Sequence, residues 1–319
     1  MRALITGMGG QDGSYLAELL LAQGYDVAGI VPRLDTEYEN LAGVRERVEL
    51  LQVDLLDEVA LGNALREHAP GEVYNLASPS FVPMSWDQPV RTAEFAAVGV
   101  TALLEAIRAV DPDIRMYQAS SSEIFGEPPV VPQTEETPLH PVTPYGVAKA
   151  YGHFIVGSYR RRYGLHASCG ILYNHESPRR PVDFLPSKVA HAVAAISLGL
   201  QDELALGDLG AQRDWGYAGD YVEAMRLMLQ QDEPGDYVVA TGVLHTVEDL
   251  VELAFAHAGL DWHAHVRVDP AFVRGTAELH DLAGDASKAR RELGWTPGVA
   301  FEDLVRLLVD AARDRLTNR

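Results

Sequence analysis

Tyr145 and Lys149 stand four residues apart in Tyr145-Gly146-Val147-Ala148-Lys149. On a helix that spacing projects both side chains from one face. A tyrosine titrates near ~10, too high for a base at neutral pH, but a lysine cation close by favours the phenolate. The pair is suited to take a proton from a sugar hydroxyl while a hydride leaves the same carbon. The lysine can also hold the ribose of a nicotinamide cofactor. Upstream lies Ser120-Ser121-Ser122-Glu123. A carboxylate beside such a pair can serve as base and then as acid within one turnover.

These residues need a scaffold. Arg2–Thr6 reads as a short apolar strand, followed by a turn with Gly7, Gly10 and Gly13 and a helix over Ser14–Gln23. Strand, glycine turn and helix begin a dinucleotide-binding unit, in which bare backbone approaches a pyrophosphate at a helix N-terminus. Gln11 and Asp12 lie within that turn and join the candidate cofactor residues. Asp26–Val31 is the second strand. It is followed by Pro32 and Arg33, with no acid before Asp35. A cation there suits a ribose 2′-phosphate, so Arg33 favours NADP, with NAD also open. Val48–Gln52 is a third strand, and Asp54 after it can accept from the adenine amino group.

A helix is expected over Leu56–His68 and a fourth strand at Glu72–Asn75, with Leu76 at its exit facing the cofactor. A long helix over Thr92–Val110 precedes a fifth strand, Arg115–Ala119, which delivers the serine run to the ligand side of the sheet. Ala167–Tyr173 is a sixth strand. Further helices are expected over Phe184–Gly199, Asp220–Leu229, Thr246–Ala258 and Phe301–Leu316. Helices alternating with short apolar strands predict an α/β fold with a doubly wound parallel sheet and a smaller C-terminal substrate-binding lobe. Residues 1–173 form the dinucleotide-binding domain and 174–319 mainly the substrate lobe, with 215–245 returning to the sheet.

The bulk properties narrow the function classes. Of 319 residues, 47% are hydrophobic and 23% charged, an ordinary globular composition. A net charge of −20 repels nucleic acid and anionic lipid, so neither is an expected partner. An anionic ligand then requires a local basic pocket. Cys169 is the single cysteine, so the chain can form neither an internal disulfide nor a cysteine zinc set, and no metal site is expected. No apolar run approaches a membrane span. The chain passes from Met1 into strand pattern without a leader, and a cytoplasmic protein is expected.

Two stretches make the reading more specific: Asn174-His175-Glu176-Ser177-Pro178-Arg179-Arg180 and Arg213-Asp214-Trp215-Gly216-Tyr217-Ala218. Together with the glycine turn, the serine run and Tyr-x-x-x-Lys, they closely resemble the GDP-mannose 4,6-dehydratase family of extended short-chain dehydrogenases/reductases. The likeness covers nearly the whole chain. It implies an internal redox cycle on GDP-mannose with NADP. Tyr145 and Lys149 would manage oxidation at C4, Ser121 would bond the C4 oxygen, and Glu123 would remove the C5 proton and assist loss of the C6 oxygen. It further implies that Arg179, Lys188, Arg213 and Arg274 bind guanine and diphosphate, and that Asn174 and Ser80 meet the sugar. The family's usual pair of arginines after the second strand is here Pro32-Arg33, and the following segment is short and acidic. Cofactor choice and a dimer versus a tetramer therefore stay open. A 4-keto sugar reductase, a nucleotide-sugar epimerase and a cofactor-sensing regulator are the alternatives.

Overall fold

A computed structural model describes residues 1–272 and 282–318. The chain opens with β1 (Arg2–Thr6), α1 (Gln11–Ala22), β2 (Asp26–Val31), β3 (Glu49–Gln52), α2 (Glu58–His68) and β4 (Glu72–Asn75). It continues through α3 (Met84–Asp87), α4 (Pro89–Ala93), α5 (Gly99–Val110), β5 (Arg115–Ala119), α6 (Pro144–Tyr163) and β6 (Ala167–Leu172). Then come β7 (Asn174–Glu176), α7 (Leu185–Ser197), β8 (Leu204–Leu206), β9 (Gln212–Tyr217), α8 (Ala218–Leu229) and β10 (Asp236–Val239). β11 (Leu244–Thr246), α9 (Val247–His257), β12 (Val266–Val268) and α10 (Phe301–Thr317) complete it.

Seven strands form one sheet in the order β10-β6-β5-β4-β1-β2-β3, with every neighbouring pair parallel. This is the doubly wound sheet expected from the sequence. Alternation along β1 explains its two covered faces. Ala3 and Ile5 pack with Leu16 and Leu20 of α1 and Met225 of α8. Leu4 points the other way, toward Leu65 of α2 and Leu103 and Ile107 of α5. Fully burying one such side chain contributes about 1.5–3 kcal/mol. A separate core joins Val193 of α7, Trp215 of β9, Phe255 of α9 and Leu308 of α10. The sheet's growth reverses between β1 and β4, and the crevice beyond their carboxyl ends is where such folds bind ligands.

Residues 215–245 divide between the two parts. β10 pairs with β6 at the edge of the large sheet, whereas β9 sits between β11 and β7 in a three-stranded sheet. The expected single helix over Thr92–Val110 is interrupted. A π-helical turn, Glu94–Val98, separates α4 from α5. Its Ala96 carbonyl presses on α6, where a Cβ at Gly152 would meet that oxygen at 2.9 Å. Helix α2 starts at Glu58, two residues later than expected, because Asp57 accepts from the amides of Val59 and Ala60. The small strands β7, β8, β11 and β12 were not expected.

One buried carboxylate ties the two parts together. Asp214 of β9, 1% exposed, accepts from the Thr241 amide (2.9 Å), the Thr241 hydroxyl (2.6 Å) and the Gly242 amide (2.8 Å). It thereby fixes the chain as it leaves β10. Asp214→Ala strands these donors, and urea titration should show a loss of about 3 kcal/mol or more.

Candidate active site

The site is built from the exits of β1, β4, β5 and β6. Thr6 Oγ1 accepts from the amides of Leu76 and Ala77 (both 3.1 Å) and donates to Asn75 (2.6 Å). Asn75 in turn donates to Gln118 of β5 (2.8 Å). This chain draws the exit of β4 against the glycine turn so closely that a Cβ at Gly7 would meet Ala77 Cα at 2.9 Å. At Gly13 a Cβ would meet the Gly7 carbonyl oxygen at 2.5 Å. The backbone is therefore bare at the start of α1, which has no side-chain cap. Such a turn fits a dinucleotide pyrophosphate.

Helix α6 delivers Tyr145 and Lys149. Thr143 caps it by accepting from the Gly146 amide (2.9 Å), and Pro144 occupies its first position. Gly146 lets the helix start lie directly on the exit of β5, where a Cβ would meet the Glu123 carbonyl oxygen at 2.6 Å. Tyr145 and Lys149 are 7% and 5% exposed. Ser121 lies near enough to the Tyr145 hydroxyl to lower its pKa and accepts from the Glu123 amide (3.3 Å). Thr143 Oγ1 donates to the Glu123 carboxylate at 3.4 Å. Ser121, Glu123, Tyr145 and Lys149 all line one cavity of about 1060 Å³, at the upper end for a single small ligand.

Burial pushes the Tyr145 phenol up to about 12, against the lowering effect of Ser121, with Glu123 adding to the rise. Lys149 does not offset this rise as the sequence suggested. Its ammonium donates to the Ala119 carbonyl (2.9 Å) and lies 5.6 Å from the Tyr145 ring centroid. Burial brings Lys149 itself down to about 8, opposed by Asp12.

Gly7, Gly10, Gln11, Asp12, Gly13, Leu76, Ser80, Asn174, Lys188 and Arg213 also line the cavity. Gln11 is held by His175 O (3.1 Å) and by the Ser177 hydroxyl (2.8 Å). Asp12 pairs with His175 Nε2 at 2.9 Å. Burial alone would raise the Asp12 carboxyl, but His175 and Arg180 hold it at about 2. Lys188 donates to Ala205 O (3.0 Å) and lies 4.3 Å over the Phe272 ring. Arg213 donates to Gln212 O (2.6 Å).

Three expected residues stand apart from the lining. Asp54 is exposed, and its carboxylate accepts from the Leu56 amide. Arg33 is exposed and pairs with Asp35. Arg179 is turned toward α1, bonding Ser14 (3.0 Å) and Glu18 (2.6 Å) over the Tyr15 ring. Arg274 lies outside the described residues.

Sequence reasoning missed Arg180, His175 and Glu176, which do line the cavity. The Arg180 guanidinium is 3.6 Å from the Phe184 ring centroid and 3.4 Å from the buried Glu176 carboxylate. The sequence signal was present, since these residues fall within the stretch that carried the resemblance. Residue order alone did not show which of the two adjacent arginines faces inward.

A parallel doubly wound sheet with a glycine turn and a Ser–Tyr–Lys set at its carboxyl edge defines an extended short-chain dehydrogenase/reductase. The family model for GDP-mannose 4,6-dehydratase matches residues 4–308, and the chain belongs to that family. A GDP-mannose 4,6-dehydratase of Arabidopsis thaliana is 47% identical over 321 residues, covering 97% of this chain and 88% of its own. A dTDP-glucose 4,6-dehydratase of Streptomyces venezuelae, solved with NAD bound, has a TM-score of 0.88 at 26% identity, covering 99% of this chain and 98% of that one. A Thermus thermophilus UDP-glucose 4-epimerase in complex with NAD has a TM-score of 0.86 at 32% identity, covering 98% and 99% of the two chains. No helix among the described residues is long and apolar enough to cross a membrane.

The Lys149 environment has a consequence for stability. Because its folded pKa lies below its unfolded value, the unfolded chain binds more protons between about pH 8 and the usual lysine range. Stability contributed by this group therefore rises with pH across that window. In urea titrations Lys149→Met should lack the rise, a difference of up to about 3 kcal/mol.

Proposed function

We propose that this chain is a GDP-mannose 4,6-dehydratase, a lyase that removes water from the hexose of GDP-mannose to leave the 4-keto-6-deoxy sugar. The observation that carries the reading is the meeting of Ser121, Glu123, Tyr145 and Lys149 in the lining of one cavity of about 1060 Å³. A nicotinamide dinucleotide, NADP in our reading with NAD also accepted, supplies a reversible hydride acceptor when bound, and its oxidised ring adds a positive charge that favours the Tyr145 phenolate.

Tyr145 takes the proton of the C4 hydroxyl, with Ser121 bonded to the same oxygen, as hydride leaves C4. The ketone acidifies the C5 proton, which Glu123 removes. Glu123 then passes a proton to the C6 hydroxyl, which departs as water and leaves a C5–C6 double bond. Hydride returns to C6 and a proton to C5, so the net change is loss of one water. Lys149 positions the cofactor ribose. Asn174 and Ser80 meet the sugar, and Lys188, Arg213 and Arg274 the guanine and diphosphate. We assign the inward cation of the 174–180 stretch to Arg180 in place of Arg179, because Arg180 lines the cavity. Residues up to 173 serve mainly the cofactor and the later ones mainly the nucleotide sugar. A cytoplasmic setting accords with the single buried thiol, Cys169.

The decisive experiment incubates the purified protein with GDP-mannose and no added hydride donor. Mass spectrometry should show a product lighter by one water. No loss of water, together with NADPH-dependent reduction of a 4-keto sugar, would give the reductase reading the better claim. Glu123→Gln should lower the elimination rate by roughly 10²–10⁴-fold, with reduced cofactor and a 4-keto hexose accumulating in a single turnover. Tyr145→Phe should block the first step and give no reduced-cofactor signal.

We also propose that the chain works as a homodimer, or as a tetramer built from such dimers. Val147, Tyr151 and Phe154 form an exposed stripe on one face of α6, 55%, 46% and 60% exposed, at the spacing that aligns side chains on a helix. Exposed Trp86 and Val90 lie on α3 and α4, which pack against α6. Phe154→Asp should shift the sedimentation coefficient to that of the monomer. An unchanged coefficient would place the contact elsewhere.

A further inference from the structure

The end of β2 offers two opposed signals for the cofactor ribose, and they are bound to each other. Pro32 lines the cavity. The next residue, Arg33, forms a two-pronged ion pair with Asp35, Nε to Oδ1 at 2.8 Å and Nη2 to Oδ2 at 2.6 Å. The segment is anchored where an adenosine ribose would lie. The Tyr38 hydroxyl donates to Arg33 O (2.7 Å), and the Leu34 amide to Gln52 (3.2 Å). The Tyr38 ring lies over Gly9 so closely that a Cβ there would collide with it, and Asn40 donates to Gly9 O (3.3 Å). The segment that carries Asp35 is therefore tied to Gln52 of β3 and to Gly9 of the glycine turn.

A carboxylate at this place accepts from a ribose hydroxyl, whereas a cation meets a 2′-phosphate. The edge of Arg33 that would grip a phosphate two-pronged is the edge that Asp35 occupies. Glu37 and Glu39, both exposed on the same short segment, add negative charge nearby. A free ribose diol meets none of this repulsion and can donate to Asp35 with Arg33 left in place.

We propose that Asp35 is a specificity-determining residue: by engaging Arg33 it suppresses preference for the phosphorylated cofactor and keeps NAD and NADP close in affinity. The proposal rests on the dinucleotide reading of the cavity. The hydrogen bonds from Arg33 hold the Asp35 carboxyl below its ordinary range, so the pair is charged at neutral pH.

Isothermal titration calorimetry of NADP⁺ and of NAD⁺ into the intact protein, without nucleotide sugar, tests it. The native chain should bind the two within roughly tenfold of each other. Asp35→Asn should shift the affinity ratio toward NADP⁺ by at least roughly tenfold, the scale of one charge-assisted hydrogen bond to a phosphate oxygen. Arg33→Ala added to Asp35→Asn should remove that shift. Both residues are exposed, so neither change threatens folding. A smaller shift in Asp35→Asn, or one that persists without Arg33, overturns the proposal while leaving the cofactor reading intact. If neither dinucleotide binds, the cofactor reading falls and the proposal falls with it.

Discussion

The partly buried pair of Asp12 and His175 is the joint on which both halves of the site depend. Asp12 begins α1 at the glycine turn, and His175 lies on β7, just past the large sheet. His175 is fixed from three sides: by Asp12 at 2.9 Å, by the Tyr173 carbonyl at 2.7 Å and by the Tyr221 ring stacked at 4.7 Å. Burial alone would lower the imidazole's pKa, yet Asp12 raises it, and the imidazole in turn helps hold the Asp12 carboxyl low, so each partner favours the charged form of the other. Removing one partner leaves the other without that support. Gln11–Ser177 and Arg179–Glu18 run in parallel with it. The turn that would hold a pyrophosphate and the strand that opens the second lobe are therefore one mechanical unit.

Close approach is the second constraint. The site exists because α6 begins in contact with the exit of β5 and because β4 leaves the sheet against the glycine turn. Glycine is required at Gly7, Gly13 and Gly146 for want of room, since at each a Cβ would meet neighbouring backbone within 3.0 Å. Thr6 and Thr143 supply the hydrogen bonds that hold these contacts closed. Ser121 and Tyr145 thus meet through backbone packing.

Electrostatics explain how a chain of net charge −20 can receive a doubly anionic ligand. Arg180, Lys188 and Arg213 face the cavity, while most of the acidic excess lies elsewhere on the surface. Arg180 is held in position by the Phe184 ring face and by Glu176, neither of which competes strongly for its outer nitrogens. Burial raises the Glu176 carboxyl, and Arg180 opposes that rise. A phosphate entering the cavity meets a cation already oriented.

The sequence by itself determined the elements whose signals are local. Short apolar runs marked the six strands before residue 174, the glycine spacing marked the turn, and Ser-Ser-Ser-Glu and Tyr-x-x-x-Lys marked residues that line the cavity, because each depends on neighbours a few residues away. Only the tertiary structure decided what depends on distant partners. Ser177 shapes the turn through its carbonyl to the Arg180 amide and its hydroxyl to the Arg179 amide, and that turn, with Glu18 waiting on α1, sends Arg179 outward and Arg180 inward. Pressure of the Ala96 carbonyl against Gly152 accompanies the break in the expected helix over residues 92–110. Strands β7 and β11, three residues each, are too short for a periodic signal, and both exist because they pair with β9 across long stretches of chain. The protonation of Tyr145 and Lys149 likewise follows from burial, which residue spacing does not encode and only the packed fold supplies.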